Sequence, residues 1–160
     1  MRALWHLVTP HWLALRPFSR AALRRIEGAI RDSEGQHDGE IRFVVEAALP
    51  LGFLKKSVRV RAEALFGQLN VWDTEHNSGV LLYVQMVDRR IEIVADRGIA
   101  ARIEQAEWRR ICYAMEESFK RGDFLKGTLE AIERITRLLA RHFPPGARNP
   151  NELPDKPIVL

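Results

Sequence analysis

Residues 80–95 read VLLYVQMVDRRIEIVA, and this stretch decides the fold class of the chain. Residues 80–84 are apolar on both faces, which is typical of a central strand in a sheet that helices cover on both sides. Asp88-Arg89 indicates a tight turn, and residues 91–95 alternate more between apolar and polar side chains, as a strand nearer the edge does. The stretch therefore predicts an antiparallel hairpin.

Upstream of the hairpin the sequence predicts two helices and one more strand. The first helix begins at the N-cap Ser19 and continues to about residue 34, and a short β-branched strand follows at residues 41–45. A second helix over about 53–71 leads to the hairpin, with a basic outer face formed by Lys55, Lys56, Arg59 and Arg61. Because this helix is a crossover between two strands, we expect those strands to be parallel.

Two amphipathic helices follow the hairpin. The apolar stripe of the first is expected to pack against the sheet and consists of Trp108, Ile111, Cys112, Met115 and Phe119. Gly122 ends this helix, Asp123 caps the last one, and Pro144 ends that one. The order α-β-α-β-β-α-α predicts an α/β domain with a small mixed β-sheet covered by helices, an α/β/α sandwich. Three strands are the minimum, and residues 46–51 or the tail are the places for a fourth.

The composition is that of one globular domain. Of 160 residues, 46% are hydrophobic and 29% are charged, and the single cysteine excludes an internal disulfide or a multi-cysteine metal site. We expect residues 1–18 to form an N-terminal arm, residues 19–144 a single domain, and residues 145–160 an extended or disordered tail. The net charge of +4 is too low for a dedicated nucleic-acid binder, so no nucleic-acid partner is expected.

The arm begins MRALWHLVTPHWLALR and has two interpretations. His6, Pro10 and His11 interrupt its apolar run, which is typical neither of a signal peptide nor of a membrane span. A cytoplasmic location is therefore expected. Either the arm packs Trp5, Leu7, Trp12 and Leu13 on the domain, or it is an interfacial anchor that makes peripheral contact with the inner face of a membrane, because Trp and Arg favour the bilayer surface.

The loop between the second helix and the hairpin is the best candidate for chemistry. Asp73, Glu75 and Asn77 present oxygen atoms at alternate positions, as the start of a calcium loop does, and Asp96 directly follows the last strand. Ser78 stands where an EF-hand needs glycine, so this is not an EF-hand. Either these four residues hold Ca²⁺ or Mg²⁺, or the loop is a polar turn whose side chains satisfy backbone amides and Asp96 caps the next helix.

A second polar cluster, Glu34, His37 and Glu40, joins the first helix to the first strand. A histidine between two glutamates can be a metal ligand or a proton carrier, and the same residue types also serve as turn and cap residues. Sequence patterns identify no catalytic residue: the chain has no phosphate-binding loop, zinc-protease helix or nucleophile elbow. Cys112 lies in an apolar stripe, where a thiol is usually inert.

From about residue 33 to residue 144 the chain resembles the TPM domain family, named for a thylakoid-lumen protein, a photosystem II repair protein and a receptor-accessory protein. The segments that carry the resemblance are AEALF (62–66), WDT (72–74), NSGVLLYV (77–84), RRIEI (89–93), GI (98–99), FKRGDF (119–124) and Gly127. The chain resembles the short, soluble bacterial class of this family, which is often encoded beside LemA-type membrane proteins.

The resemblance implies an α/β sandwich, divalent-cation binding in some members, and a phosphatase activity assigned from few members. It also implies a protein partner at a membrane. The chain has no aspartyl nucleophile motif and no catalytic cysteine loop. We therefore expect a non-catalytic interaction module, accessory to a membrane-associated complex. The alternative is a divalent-cation-dependent phosphatase, in which the ion polarises phosphate and activates water.

Overall fold

The computed structural model describes residues 2–146 and 150–160. In this part of the chain the strands are β1 Glu40–Glu46, β2 Gly79–Gln85, β3 Arg90–Ala95 and β4 Ile158–Val159. The helices are α1 Arg2–Val8, α2 His11–Ala14, α3 Arg20–Glu34, α4 Val58–Gln68, α5 Arg97–Ala100, α6 Gln105–Lys120 and α7 Phe124–His142. The predicted order of the main elements is confirmed, with two short helices in the arm and one after β3 added to it.

The four strands form one mixed sheet in the order β3-β2-β1-β4. β1 and β2 are parallel, with Glu40 opposite Gly79, and β2 and β3 form the antiparallel hairpin, with Val80 opposite Ala95. The central position of β2 and the edge position of β3 confirm what their apolar patterns predicted. The fourth strand lies in the tail and pairs in parallel with β1.

Helices cover both faces of this sheet, which confirms the α/β/α sandwich. Side chains of α3, α6 and α7 form the larger core with alternate residues of β1, β2 and β3, whereas α4 covers the opposite face. The predicted stripe of α6 faces the larger core, where Trp108, Ile111, Met115 and Phe119 are buried. Cys112 is partly buried beside them.

The second helix is shorter than the predicted range of 53–71. A 3-10 turn occupies Leu51–Phe53, and α4 starts only after Ser57, whose hydroxyl accepts a hydrogen bond from the backbone NH of Val60. This N-cap sets the beginning of the helix. The expectation that Arg61 lies on the outer face of the helix is wrong, because Arg61 is buried against the sheet.

The tail folds back along β1 over the described residues 150–160. Leu153 is buried in the core beneath α4, and the strand pairs of Ile158 with Val44 and Val159 with Val45 extend the sheet. The backbone NH of Leu160 donates to the carbonyl of Val45, and the NH of Ala47 donates to the carbonyl of Leu160. Residues 147–149, within the predicted tail, lie outside the described part of the chain.

Candidate functional site

Both polar clusters predicted from the sequence lie at one end of the sheet, where β1 and β2 begin and β3 ends. Glu40 starts β1 and lies opposite Gly79, the first residue of β2. The backbone NH of Asp96, directly after β3, donates to the carbonyl of Gly79 at 2.9 Å. We call residues 34–40, 73–79 and 96–98 the polar end of the sheet.

The loop at residues 73–79 packs closely against the turn that follows β3. Asn77 has a φ of 51°, in the left-handed region, and its side-chain oxygen accepts a hydrogen bond from Nε of Arg97 at 2.9 Å. A Cβ added at Gly98 would lie 2.6 Å from the carbonyl oxygens of His76 and Asn77. Only glycine permits this approach, so the two segments are held in one fixed arrangement.

Asp96 caps α5 with one carboxylate oxygen and leaves the other without a described partner. Its Oδ1 accepts a hydrogen bond from the backbone NH of Arg97 at 2.7 Å. Oδ2 of Asp96 and Oγ of Ser78 are both buried, and neither has a hydrogen-bond partner among the described residues. Buried polar atoms normally have a partner, and oxygen atoms are the ligands that Ca²⁺ and Mg²⁺ prefer.

The four predicted metal ligands differ in their surroundings. The side chains of Asp73 and Glu75 are exposed, whereas Asp96 is buried and Asn77 already binds Arg97. Among the described residues, no group of three or more His, Cys, Asp or Glu side chains is placed to hold a metal ion. The carboxylate oxygen of Asp96 and the hydroxyl oxygen of Ser78 are ligand types that a hard cation prefers. An ion bound there would also need carbonyl oxygens or water as ligands.

The Glu34, His37 and Glu40 cluster makes contacts with its own turn and with the tail. Nδ1 of the buried His37 ring accepts a hydrogen bond from the NH of Gly39 at 3.2 Å, and burial lowers the pKa of this histidine. The Glu40 carboxylate accepts hydrogen bonds from the backbone NH groups of Glu152 and Leu153, each at 3.3 Å. These bonds tie the tail to the polar end.

The two glutamates of this cluster are shifted towards their neutral forms. Burial is the main cause and raises the pKa of Glu40 to about 7. Burial, followed by a hydrogen bond with Asp155, raises the pKa of Glu34 to about 8, and Asn151 donates to its carboxylate at 2.8 Å. Both carboxyl groups therefore lie beside tail residues, in surroundings that disfavour their charge.

A family model for the TPM domain matches residues 16–138 of the chain. The chain belongs to the TPM domain family. This match confirms the resemblance carried by the sequence motifs. No curated protein matches this TPM domain.

Two solved structures show the same fold. The NMR structure of the BA42 protein from the psychrophilic bacterium Bizionia argentinensis shares 30% sequence identity, with a TM-score of 0.79 over 89% of this chain and 94% of that one. The N-terminal domain of a protein from P. gingivalis shares 20% identity, with a TM-score of 0.64 over 78% of each chain. At 20% identity, the similarity to the P. gingivalis domain shows a shared fold only.

The N-terminal arm of this TPM domain is attached through polar side chains. The guanidinium of Arg2 binds the carboxylate of Asp88 at 2.7 Å and the carbonyl oxygens of Leu54 and Lys56. Nδ1 of the buried His6 accepts a hydrogen bond from the NH of Leu49 at 2.9 Å, and its Nε2 lies 3.1 Å from Asp88. Although burial opposes it, these partners hold the pKa of Asp88 below its usual value.

This attachment leaves the apolar side of the arm facing solvent. We call this side the arm surface; its members are Leu4, Trp5, Leu7, Val8, Trp12 and Leu13, and the exposed fractions of the two tryptophans are 63% and 71%. The expectation that Trp5, Leu7, Trp12 and Leu13 pack on the domain is therefore wrong. Arg2 and His6 bind residues that are distant in the sequence, and no periodic sequence pattern indicates such contacts. Sequence reasoning therefore missed them.

Sequence reasoning also missed a buried ion pair beneath α4 in this TPM domain. The Arg61 guanidinium donates to the Glu46 carboxylate at 2.6 Å and 3.1 Å, and the Tyr83 hydroxyl donates to the same carboxylate at 2.5 Å. All three residues are buried. Burial and the bond to Glu46 raise the pKa of Tyr83. The one available signal was the position of Arg61 among the apolar residues Val58, Ala62 and Leu65.

Cys112 lines a groove between β3 and α6, together with Arg59, Arg109, Tyr113 and Glu116. Burial, and then the charges of Glu92 and Glu116, raise the pKa of its thiol to about 12. A thiolate is the nucleophilic form of cysteine, and it is scarce at neutral pH when the pKa is this high. The groove therefore does not supply a cysteine nucleophile.

Proposed function

We propose that this TPM domain is a non-catalytic interaction module, accessory to a membrane-associated complex, and that its N-terminal arm is the contact surface. The observation that carries the proposal is the arm surface itself. Six large apolar side chains remain exposed on a segment that is fixed in place by Arg2 and His6. Trp5 and Leu13 line one cleft, and grouped exposed apolar side chains mark sites of interaction with proteins or membranes.

The state of the reactive side chains also supports a role without catalysis. Burial raises the pKa of the Cys112 thiol to about 12, which disfavours the reactive thiolate. Glu40 is buried and accepts hydrogen bonds from the tail, and the ring nitrogen Nδ1 of His37 accepts one from its own turn. These contacts of Glu40 and His37 serve the fold, whereas a catalytic side chain must be able to contact substrate.

Site-specific photo-crosslinking in cells tests this proposal. A benzophenone amino acid in place of Trp5 is expected to give adducts, to protein or to lipid, that the same probe in place of Tyr113 does not give. The two positions are matched, because their side chains are 63% and 64% exposed and lie on different surfaces. The same adducts from both positions, or none from position 5, would contradict an interaction role for the arm.

The second candidate function is a divalent-cation-dependent phosphatase centred on the polar end of the sheet. It is favoured by the buried Oδ2 of Asp96 and Oγ of Ser78, which have no described hydrogen-bond partner. Asp96 and Ser78 would hold the ion, with Asp73, Glu75 and Asn77 as the neighbouring oxygen donors. A divalent ion bound there would polarise phosphate and lower the pKa of water.

Thermal melting in Ca²⁺ and Mg²⁺ tests the cation site. Binding only to the folded state stabilises it by about 2.7 kcal/mol at a hundredfold excess over the Kd, which corresponds to a rise of about 5–10 °C in Tm for a domain of this size. The replacements Asp96→Asn and Asp73→Asn should abolish the rise, and Asp32→Asn, at an exposed position on α3, should retain it. No rise at millimolar ion would leave the loop as a polar turn.

A further inference from the structure

We infer that the arm surface binds the anionic headgroup region of a lipid bilayer. This inference rests on the proposed function, because it assigns a partner to the same surface. The arm surface combines two tryptophans with four aliphatic side chains. Tryptophan is enriched at the boundary between headgroups and acyl chains, where its ring is partly apolar and its NH reaches water.

The helices of the arm are far shorter than the roughly 20 residues that a membrane span requires. α1 has seven residues and α2 has four, so the two helices are about 10 Å and 6 Å long. Interfacial helices bury their apolar side only about 5–10 Å into the membrane surface. Among the described residues, no helix has the length and apolar character needed to cross a membrane. The arm is therefore suited to lie in the interface.

Basic side chains border the arm surface and supply the charge that anionic headgroups complement. Arg89 lines the same cleft as Trp5 and Leu13, and Arg16 lines a hollow beside Leu13. Both arginines are exposed, and no described carboxylate forms an ion pair with either of them. Basic residues near an anionic membrane strengthen binding by about fivefold each.

The acidic side chain beneath the arm is already neutralised. Asp88 forms a salt bridge with Arg2 at 2.7 Å and lies 3.1 Å from Nε2 of His6. Its charge therefore opposes an anionic surface less than that of an unpaired carboxylate. The same contacts fix the arm before binding, so little conformational entropy is lost when the surface meets the bilayer.

Co-sedimentation of the full chain with vesicles tests the inference. We expect binding to vesicles of phosphatidylcholine with 30% phosphatidylglycerol, weaker binding to pure phosphatidylcholine, and a decline as salt rises. The double replacement Trp5→Ala with Trp12→Ala should weaken binding at least about tenfold. Trp72→Ala removes a tryptophan that is 52% exposed outside the arm and should leave binding unchanged.

A charge-matched pair tests the basic border. Arg16→Glu and Arg89→Glu should each weaken binding at least about fivefold, whereas Arg109→Glu, on the exposed side of α6, should have little effect. Unchanged melting curves will show that these surface variants are folded. If the Arg109 and Arg16 variants lose vesicle binding equally, the net charge of the protein and not the position of the arginine explains the loss. That result would overturn the inference.

Absence of binding to the anionic vesicles would overturn the inference, and so would an equal loss for the Trp72 and arm variants. If sedimentation analysis instead shows a dimer that the arm replacements dissociate, the arm surface binds a second copy of the chain and not lipid. Protein adducts from a probe at position 5 together with no vesicle binding would overturn the lipid assignment and leave the interaction module standing. Failure of both experiments would remove the proposed function as well.

Discussion

Replacing Arg61 with Met is expected to lower the free energy of unfolding by about 3–5 kcal/mol. The reason is the carboxylate that remains. Glu46 is only 2% exposed, and it would lose three charge-assisted hydrogen bonds from Arg61 and retain the one from Tyr83. An uncompensated buried charge is costly because the interior solvates it poorly. Urea unfolding followed by circular dichroism measures the loss.

Two further variants test whether the expected loss depends on the burial of the ion pair and not on the loss of any ion pair. Arg137→Met breaks an exposed ion pair with Glu133 on α7 and should cost less than about 1 kcal/mol. The double variant Glu46→Leu with Arg61→Met removes both buried charges and should recover part of the loss of the single Arg61 variant. If Arg61→Met costs no more than Arg137→Met, the buried pair does not stabilise the sheet face beneath α4.

Replacing Phe119 with Ala is expected to cost about 3–5 kcal/mol, because it leaves a cavity in the larger core. Phe119 is 3% exposed, and its ring centroid lies 4.8 Å from that of Phe124 and 6.1 Å from that of Phe18. The residue thus connects α6 with the start of α7 and with the segment before α3. Thermal or urea unfolding of the variant measures the effect.

The matched control for Phe119 lies on the same helix. Tyr113 is 64% exposed, so Tyr113→Ala should change the free energy of unfolding by no more than about 0.5 kcal/mol. A cost for Phe119→Ala as small as that of the control would show that burial of the Phe119 ring does not stabilise the fold.

The sequence was sufficient to predict the sheet that holds this fold together, because burial imposes a pattern. Residues 80–84 are apolar on both faces because α4 covers one face of β2 and α6 and α7 the other. The parallel pairing of β1 with β2 followed from the crossover between them. β4 could only be located in general terms, since a strand of two residues carries no periodicity and is determined by its pairing with Val44 and Val45.

The sequence identified the polar loops next to the strand ends, but not how their residues are arranged relative to one another. The sequence left open whether residues 73–79 and Asp96 lie together, and the folded chain joins the two segments through the hydrogen bond between Asn77 and Arg97. The tail contacts of Glu40 and the burial of Arg61 depend on partners far away in the sequence. Local patterns contain no information about such pairings, so only the folded chain shows them.

The pairing of β4 with β1 has a consequence for the order of folding. Before β4 pairs with β1, the carbonyl of Val45 and the NH of Ala47, which both bond to Leu160 in the folded chain, have no partner strand. The chain between β1 and β4 contains most of the domain, and closing so long a loop is slow compared with local helix and hairpin formation. We therefore expect the tail to join the sheet last. During synthesis β1 is thus a temporary open edge that can recruit strands from other nascent chains, and the arrival of the tail ends this exposure to aggregation.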